Sequence, residues 1–127
     1  MTGKIFSITP TQMRELVPFE LDQITLGAAQ ASRPLIAGFY GDDLVCVAGL
    51  VPISIISDTA YLWLCTTDIV HKHKLVFARH VRREMKRFSQ LYPRIIGHCI
   101  TPSSRLWLES LGATFAADGI SWEIVND

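Results

Sequence analysis

No stretch of this 127-residue chain approaches the roughly 20 consecutive apolar residues that a bilayer-spanning helix needs. A protein that crosses membranes by helices is therefore not expected. The amino-terminal segment MTGKIFSITPTQ has neither the basic start nor the apolar middle of a signal peptide, so a cytosolic protein is expected. Cysteine is scarce and odd in number. Cys46, Cys65 and Cys99 lie far apart in apolar settings (VCV, WLCTT, GHCI), which points to buried free thiols rather than disulfides or a metal centre. Net charge is also missing, since 12 basic and 12 acidic residues cancel, and this argues against a surface that is a nucleic-acid footprint as a whole. The chain has no Gly-x-Ser-x-Gly, no P-loop and no Cys and His pairing by motif, which removes the usual signatures of serine hydrolases, nucleoside triphosphatases and thiol enzymes. Repeats and low-complexity tracts are absent as well.

What is present suffices for one core. With 49% apolar residues, residues 1–127 are expected to form a single domain. The stretch from Tyr61 to Phe88 organises it. Tyr61, Leu62, Trp63, Leu64 and Cys65 form an unbroken apolar run that predicts a strand buried on both faces. Thr66, Thr67 and Asp68 end it. Apolar residues then recur at Leu75, Ala78, Val81, Met85 and Phe88, the spacing of one stripe along a helix. Lys72, Lys74, Arg79, Arg82, Arg83, Lys86 and Arg87 are seven of the 12 basic residues, so positive charge is concentrated here and relieved only by Glu84. A solvated helix face and an attraction for a polyanion such as nucleic acid both fit that pattern.

Around this segment the remaining elements fall into place. Lys4 to Ile8 predicts a strand. Thr9, Pro10 and Gln12 then spell a capped helix start, with Pro18 limiting its length. Phe19 to Gln30 predicts a second helix with Leu21, Ile24 and Ala28 on one side, closed by Pro34. Leu35 to Tyr40 and Leu44 to Gly49 flank the turn residues Gly41, Asp42 and Asp43, as a hairpin does. Val51 to Ile56 is a further apolar segment, and a turn at Ser57, Asp58 and Thr59 leads to the strand Tyr61 to Cys65. After the long helix, Tyr92 and Pro93 precede a strand from Arg94 to Ile100, and strand, crossover helix and strand make a right-handed parallel pair. Thr101 and Pro102 open a last helix with Leu106, Trp107 and Leu111 as its apolar face and Gly112 as its end. A hairpin from Ala113 to Val125 turns at Asp118 and Gly119. The fold class is α+β: a mixed sheet of six to seven strands with about four helices and a parallel central pair.

This order of elements, together with the ending TPSSRLWLESLGATF, resembles the GNAT N-acetyltransferase superfamily over almost the whole chain. Leu111, Gly112 and Ala113 stand at the family's helix ending, and Thr101 stands where an Asn is usual. The tract WLCTTDIVHKHKLVFAR followed by YPRI is similar to a small branch of phage GNAT-like proteins that includes the internal virion protein A of short-tailed phages. Trp63, Leu64, Thr67, Arg79, Tyr92 and Pro93 carry that similarity. The resemblance implies an acyl-CoA-dependent N-acetyltransferase-like protein of the host cytosol. Its alternative is a catalytically inactive GNAT-fold virion, assembly or binding protein.

The resemblance also places candidate residues. Acetyl-CoA would lie against Thr66, Thr67, His71, Lys72, His73, Lys74 and Thr101. In active GNAT enzymes a glycine-rich loop lets backbone amides close on the coenzyme A pyrophosphate. Here that loop, Ile69 to Lys74, has no glycine, and Lys72 and Lys74 offer point charges instead, so weak or absent binding is expected. No Tyr stands for the family's general acid on the last helix, where Trp107 and Phe115 occupy the neighbourhood. Asp68 is the carboxylate nearest in sequence for a general base, and it reads first as a turn or cap residue. His71 and His73, two apart, would project to opposite sides of an extended loop, with no further ligand at metal spacing. His80 and His98 read as structural. The expected partners are an amine acceptor, a phage or host protein, and nucleic acid through Arg79, Arg82, Arg83, Lys86 and Arg87.

Overall fold

Thr9 shows how closely local sequence dictates local structure in this chain. Its hydroxyl accepts a hydrogen bond from the Gln12 amide at 3.1 Å, while the Gln12 side chain accepts one from the Thr9 amide at 2.8 Å. This reciprocal capping box starts helix α1, Pro10–Leu16, with Pro10 at its first position. The computed structural model describes residues 3–18, 20–54, 56, 58–99 and 102–125. Strand β1 is Gly3–Ser7, α2 is Gln23–Ala31, β2 is Leu35–Tyr40, β3 is Asp43–Pro52 and β4 is Thr59–Thr66. A 3₁₀ turn, Asp68–Lys72, leads into α3, Lys74–Leu91. Strand β5 is Arg94–His98, α4 is Pro102–Ser110, β6 is Thr114–Phe115 and β7 is Ser121–Val125. The seven strands form a mixed sheet in the order β1-β2-β3-β4-β5-β7-β6. The predicted parallel pair is present, β4 lying beside β5 with Thr59 opposite Arg94, Ala60 opposite Ile95 and Tyr61 opposite Ile96.

The chain divides into two compact units, Met1–Val51 with Trp63–His80 and Pro52–Leu62 with Val81–Asp127. In the first, Met13, Ala29, Leu35, Ala37 and Val47 form a buried cluster, with Leu26, Phe39, Trp63 and Cys65 packed against it. The buried Ser32 hydroxyl accepts from the Trp63 indole N–H at 2.8 Å and donates to the Ala28 carbonyl at 2.7 Å, so each polar group has a partner. In the second unit, Ala60, Met85, Phe88, Ile95, Leu108, Trp122 and Ile124 are buried. The Trp122 ring lies where a Cβ on Gly97 would stand, so glycine is the residue that lets β5 and β7 pair at Gly97 opposite Trp122. Gly112 follows α4 with φ of 101°, the left-handed conformation that ends helices.

Several expectations needed correction. Helix α2 begins at Gln23, with Glu20 to Asp22 outside it and Phe19 outside the described residues, because Asp22 caps it by accepting from the Thr25 amide at 2.7 Å. With that start Ile24 is exposed and Ala29 is the buried residue. The segment Val51 to Ile56 does not continue as a strand. β3 stops at Pro52, the Ile53 amide turns to the Thr59 carbonyl, and Ile53 and Ile56 face solvent. Strand β4 is not buried on both faces from Tyr61 to Cys65. Burial is complete at Thr59 and Ala60, and Leu64 is exposed. The parallel register ends at Tyr61, so the later residues lack that cover among the described residues. The stripe of α3 is kept at Met85 and Phe88 and lost at Leu75, which is 83% exposed, while Glu84 is buried. On α4, Leu108 is the buried residue and Leu106 is exposed. The three cysteines are half-buried rather than fully buried. Thr101, Ser57 and Ile100 lie outside the described residues.

Candidate functional site

The polar end of β4 is tied down before it reaches the helix. The Thr67 amide donates to the Val45 carbonyl at 2.8 Å and the Thr67 hydroxyl donates to the Leu44 carbonyl. Because that hydroxyl is spent on β3, it does not cap the 3₁₀ turn that follows. Residues Ile69 to Lys74 were expected to be an extended loop. They form instead the tight turn Asp68–Lys72, in which the Val70 amide donates to Thr67 and the His73 amide to Val70, both at 3.2 Å. His71 and His73 are therefore not on opposite sides of an extended strand. His71 is exposed. His73 stacks on Tyr40 at the end of β2, ring centroids 3.7 Å apart and planes 17° from parallel, which fixes the junction between turn and helix.

This turn decides which amides are left for a ligand. The first bond of α3 runs from the Phe77 amide to the His73 carbonyl, so the amides of Lys74, Leu75 and Val76 stand ahead of the helical ladder. Those of Val70 and His73 are consumed inside the turn. Thr66, His71, Lys72 and Lys74 are exposed, and Thr67 and His73 are half-buried. Among the described residues no ion pair involves Lys72 or Lys74, and Asp68 is exposed at the first position of the turn. The arrangement concentrates positive potential and three amides at the start of an 18-residue helix, which suits an anionic oxygen cluster.

On the rest of α3, Arg79, Arg82, Arg83, Lys86 and Arg87 are all exposed. Their spacing of three and four places them on one face. Arg87 is held by the buried Glu84, its Nη1 lying 3.0 Å from both carboxylate oxygens. Among the described residues no three His, Cys, Asp or Glu gather as a metal site, and no helix is long and apolar enough to cross a membrane.

The sequence reading missed one contact. The Tyr61 hydroxyl on β4 lies 2.9 Å from Nδ1 of His98 on β5, with ring centroids 5.5 Å apart. The signal was latent in the parallel register: Tyr61 pairs with Ile96, and residues two apart on a strand share a face. Asp118 lies within electrostatic reach of the same histidine. Its carboxyl is held below the ordinary range chiefly by hydrogen bonds from the Ile120 and Ser121 amides, then by the Ser121 hydroxyl, with the His98 charge adding a smaller effect.

No family model and no curated protein sequence matches the chain. Solved structures do. An acetyltransferase of the GNAT family from Staphylococcus aureus superposes with a TM-score of 0.70 at 11% identity, covering 99% of this chain and 100% of the other. A Bacillus subtilis acetyltransferase in complex with CoA gives 0.68 at 10% identity over 98% of this chain and 97% of that one. The spermidine/spermine N-acetyltransferase from Vibrio cholerae gives 0.69 at 11% identity, covering 98% and 92%. At such identities the likeness concerns architecture, and the chain has the fold of the GNAT acetyltransferases.

Proposed function

We propose that the chain is an N-acetyltransferase-like protein that takes acetyl-CoA at the junction of β4, the 3₁₀ turn and α3, with a phosphate-facing segment that has exchanged glycine amides for lysine charge. The observation that carries this reading is the start of α3. Three amides ahead of the ladder stand beside Lys72 and Lys74 in the chain, which make no ion pair among the described residues, at the end of a strand pinned by Thr67. Lys72 and Lys74 would meet pyrophosphate oxygens as point charges, and the amides of Lys74, Leu75 and Val76 would donate to them. Thr66, Thr67, His71 and His73 would line the approach, and the family resemblance adds Thr101, which lies outside the described residues. The bound thioester supplies an activated acetyl group, and Asp68 is a candidate base toward an acceptor amine. Residues 1–127 act in this reading as one domain, and a phage-encoded origin is part of the reading on the sequence resemblance of Trp63, Leu64, Thr67, Arg79, Tyr92 and Pro93 alone. The basic face of α3 serves a polyanionic partner such as nucleic acid. Support for the cofactor comes from a structural neighbour solved with CoA, and support for an amine acceptor from a neighbour that acts on spermidine or spermine.

Isothermal titration of acetyl-CoA onto the purified protein tests the reading. Each lost amide contact to phosphate costs on the order of 1 to 3 kcal/mol, and about 1.4 kcal/mol is tenfold in affinity. Binding well above the low-micromolar range is expected, weakening with salt and vanishing in the Lys72→Ala, Lys74→Ala double variant. A low-micromolar constant indifferent to that double variant would mean that the turn cradles phosphate by another route. No heat at any concentration would favour the reading as a binding or assembly module that keeps the fold without turnover.

A further inference from the structure

We infer that Tyr61 and His98 form the proton-handling pair for acetyl transfer, an assignment that rests on the transferase reading. Aminolysis of a thioester needs one proton removed from the attacking nitrogen and one delivered to the departing sulfur. The sequence offers no tyrosine on α4 for the second task. The pair on β4 and β5 offers both groups in one hydrogen bond of 2.9 Å. It stands where the parallel register ends, Tyr61 being the last β4 residue paired with β5. Tyr61 is half-buried and His98 exposed, so their reactive atoms are open to a substrate rather than sealed in the core.

The proton count closes with one tautomer. When His98 carries its proton on Nδ1 and donates it to the phenol oxygen, Nε2 is a free acceptor and the Tyr61 O–H is a free donor. The amine nitrogen lone pair attacks the thioester carbonyl, forming the C–N bond. Nε2 of His98 takes the proton released from that nitrogen. As the C–S bond breaks, its electron pair stays on sulfur, which takes the Tyr61 proton and leaves as the thiol. The imidazolium then passes its Nδ1 proton to the phenolate oxygen. Amide and thiol are the products, and no oxidant or other co-reactant is needed. His98 ends as the other neutral tautomer and resets through solvent. Asp118, in the turn between β6 and β7, supports the transient imidazolium at a distance, while Arg94, on the same strand as His98, is taken up by Glu123 of β7 at 2.7 Å.

The test combines turnover, binding and spectroscopy on the full chain. Acetyl-CoA consumption is measured with spermidine as acceptor for the wild type, Tyr61→Phe and His98→Gln, beside titration of acetyl-CoA, and the His98 ring nitrogen resonances are recorded by NMR at one pH in the wild type and in Tyr61→Phe. The expected result is a fall in kcat of about 100-fold in each variant, with acetyl-CoA affinity and melting temperature unchanged and a displaced His98 Nδ1 resonance in Tyr61→Phe. Wild-type turnover that survives in both variants overturns the assignment and leaves the transferase reading intact. A wild type that binds acetyl-CoA but acetylates nothing overturns the transferase reading, and the pair with it.

Discussion

The two halves of α3 follow the same amphipathic pattern and come to opposite ends. Beyond the half-buried Val81 the stripe is buried as written: Met85 and Phe88 sit in the core of the second unit, and even Glu84 is covered, with Arg87 as its partner. From Lys74 to His80, in the first unit, Leu75 is open to solvent, Lys74 and Arg79 are exposed, and the leading amides precede the ladder. One half is built to hold the fold. The other leaves polar groups and an apolar side chain uncovered, as a binding edge does. A second contrast sharpens this one, because α1 satisfies its own first turn through Thr9 and Gln12, whereas the residue before the turn leading to α3, Thr67, spends its hydroxyl on β3 instead.

The largest expected effect separates the halves directly. Phe88→Ala should lower stability by about 3 to 5 kcal/mol, while Leu75→Ala should stay within about 0.5 kcal/mol, both read by chemical denaturation. Equal losses would mean that Leu75 is covered in solution and that the contrast fails. Next comes the buried carboxylate. Arg87→Ala leaves the Glu84 side chain covered and without the two hydrogen bonds from Arg87. A loss of about 1 kcal/mol is expected, discounted because the arginine itself is largely exposed. Arg79→Ala, on the open half, should leave the melting temperature unmoved.

The two helix starts differ by a similar amount. Thr9→Ala removes a cap and should cost about 1 kcal/mol of stability without touching acetyl-CoA binding. Thr67→Ala should cost about the same through its bond to Leu44 and should also weaken acetyl-CoA binding, since it frees the strand end that presents the turn. Parallel behaviour of the two variants in the titration would remove the functional distinction between the starts. The smallest effect at neutral pH belongs to Cys46 in the first unit, whose thiol is raised by burial from 9.0 to about 11. The folded protein holds this proton more tightly than the unfolded chain, so the stabilisation is present in full below pH 9 and is lost as pH rises toward 11. Denaturation curves for the wild type and Cys46→Ser should coincide in shape with pH up to about 8.5, and the wild type should decline more steeply above 9.

Much of the fold was legible because local rules acted alone. Thr9, Pro10 and Gln12 specified a helix start that needs no tertiary partner, the hairpin around Gly41 and Asp42 followed from turn chemistry, and strand, helix and strand around α3 implied the parallel pair through the handedness of crossovers. Which residues of a stripe are covered was not legible, because periodicity names a face and not the extent of what packs on it. Leu75, Ile24 and Leu106 obey the pattern and are exposed, while Leu108 and Ala29 are the buried residues of their helices. The candidate phosphate site was legible as a place and not as a geometry. Lys72 and Lys74 could be read from the row, but the turn that consumes the amides of Val70 and His73 depends on Thr67 bonding across to β3 and on His73 stacking against Tyr40. The meeting of Tyr61 with His98, 37 residues away, came from register alone. Sequence by itself thus determined the kinds and order of the elements, since those follow from interactions within a few residues. Tertiary structure decided coverage, the amides left ahead of the α3 ladder and the phenol–imidazole contact, because each depends on groups that only the sheet brings within hydrogen-bonding reach.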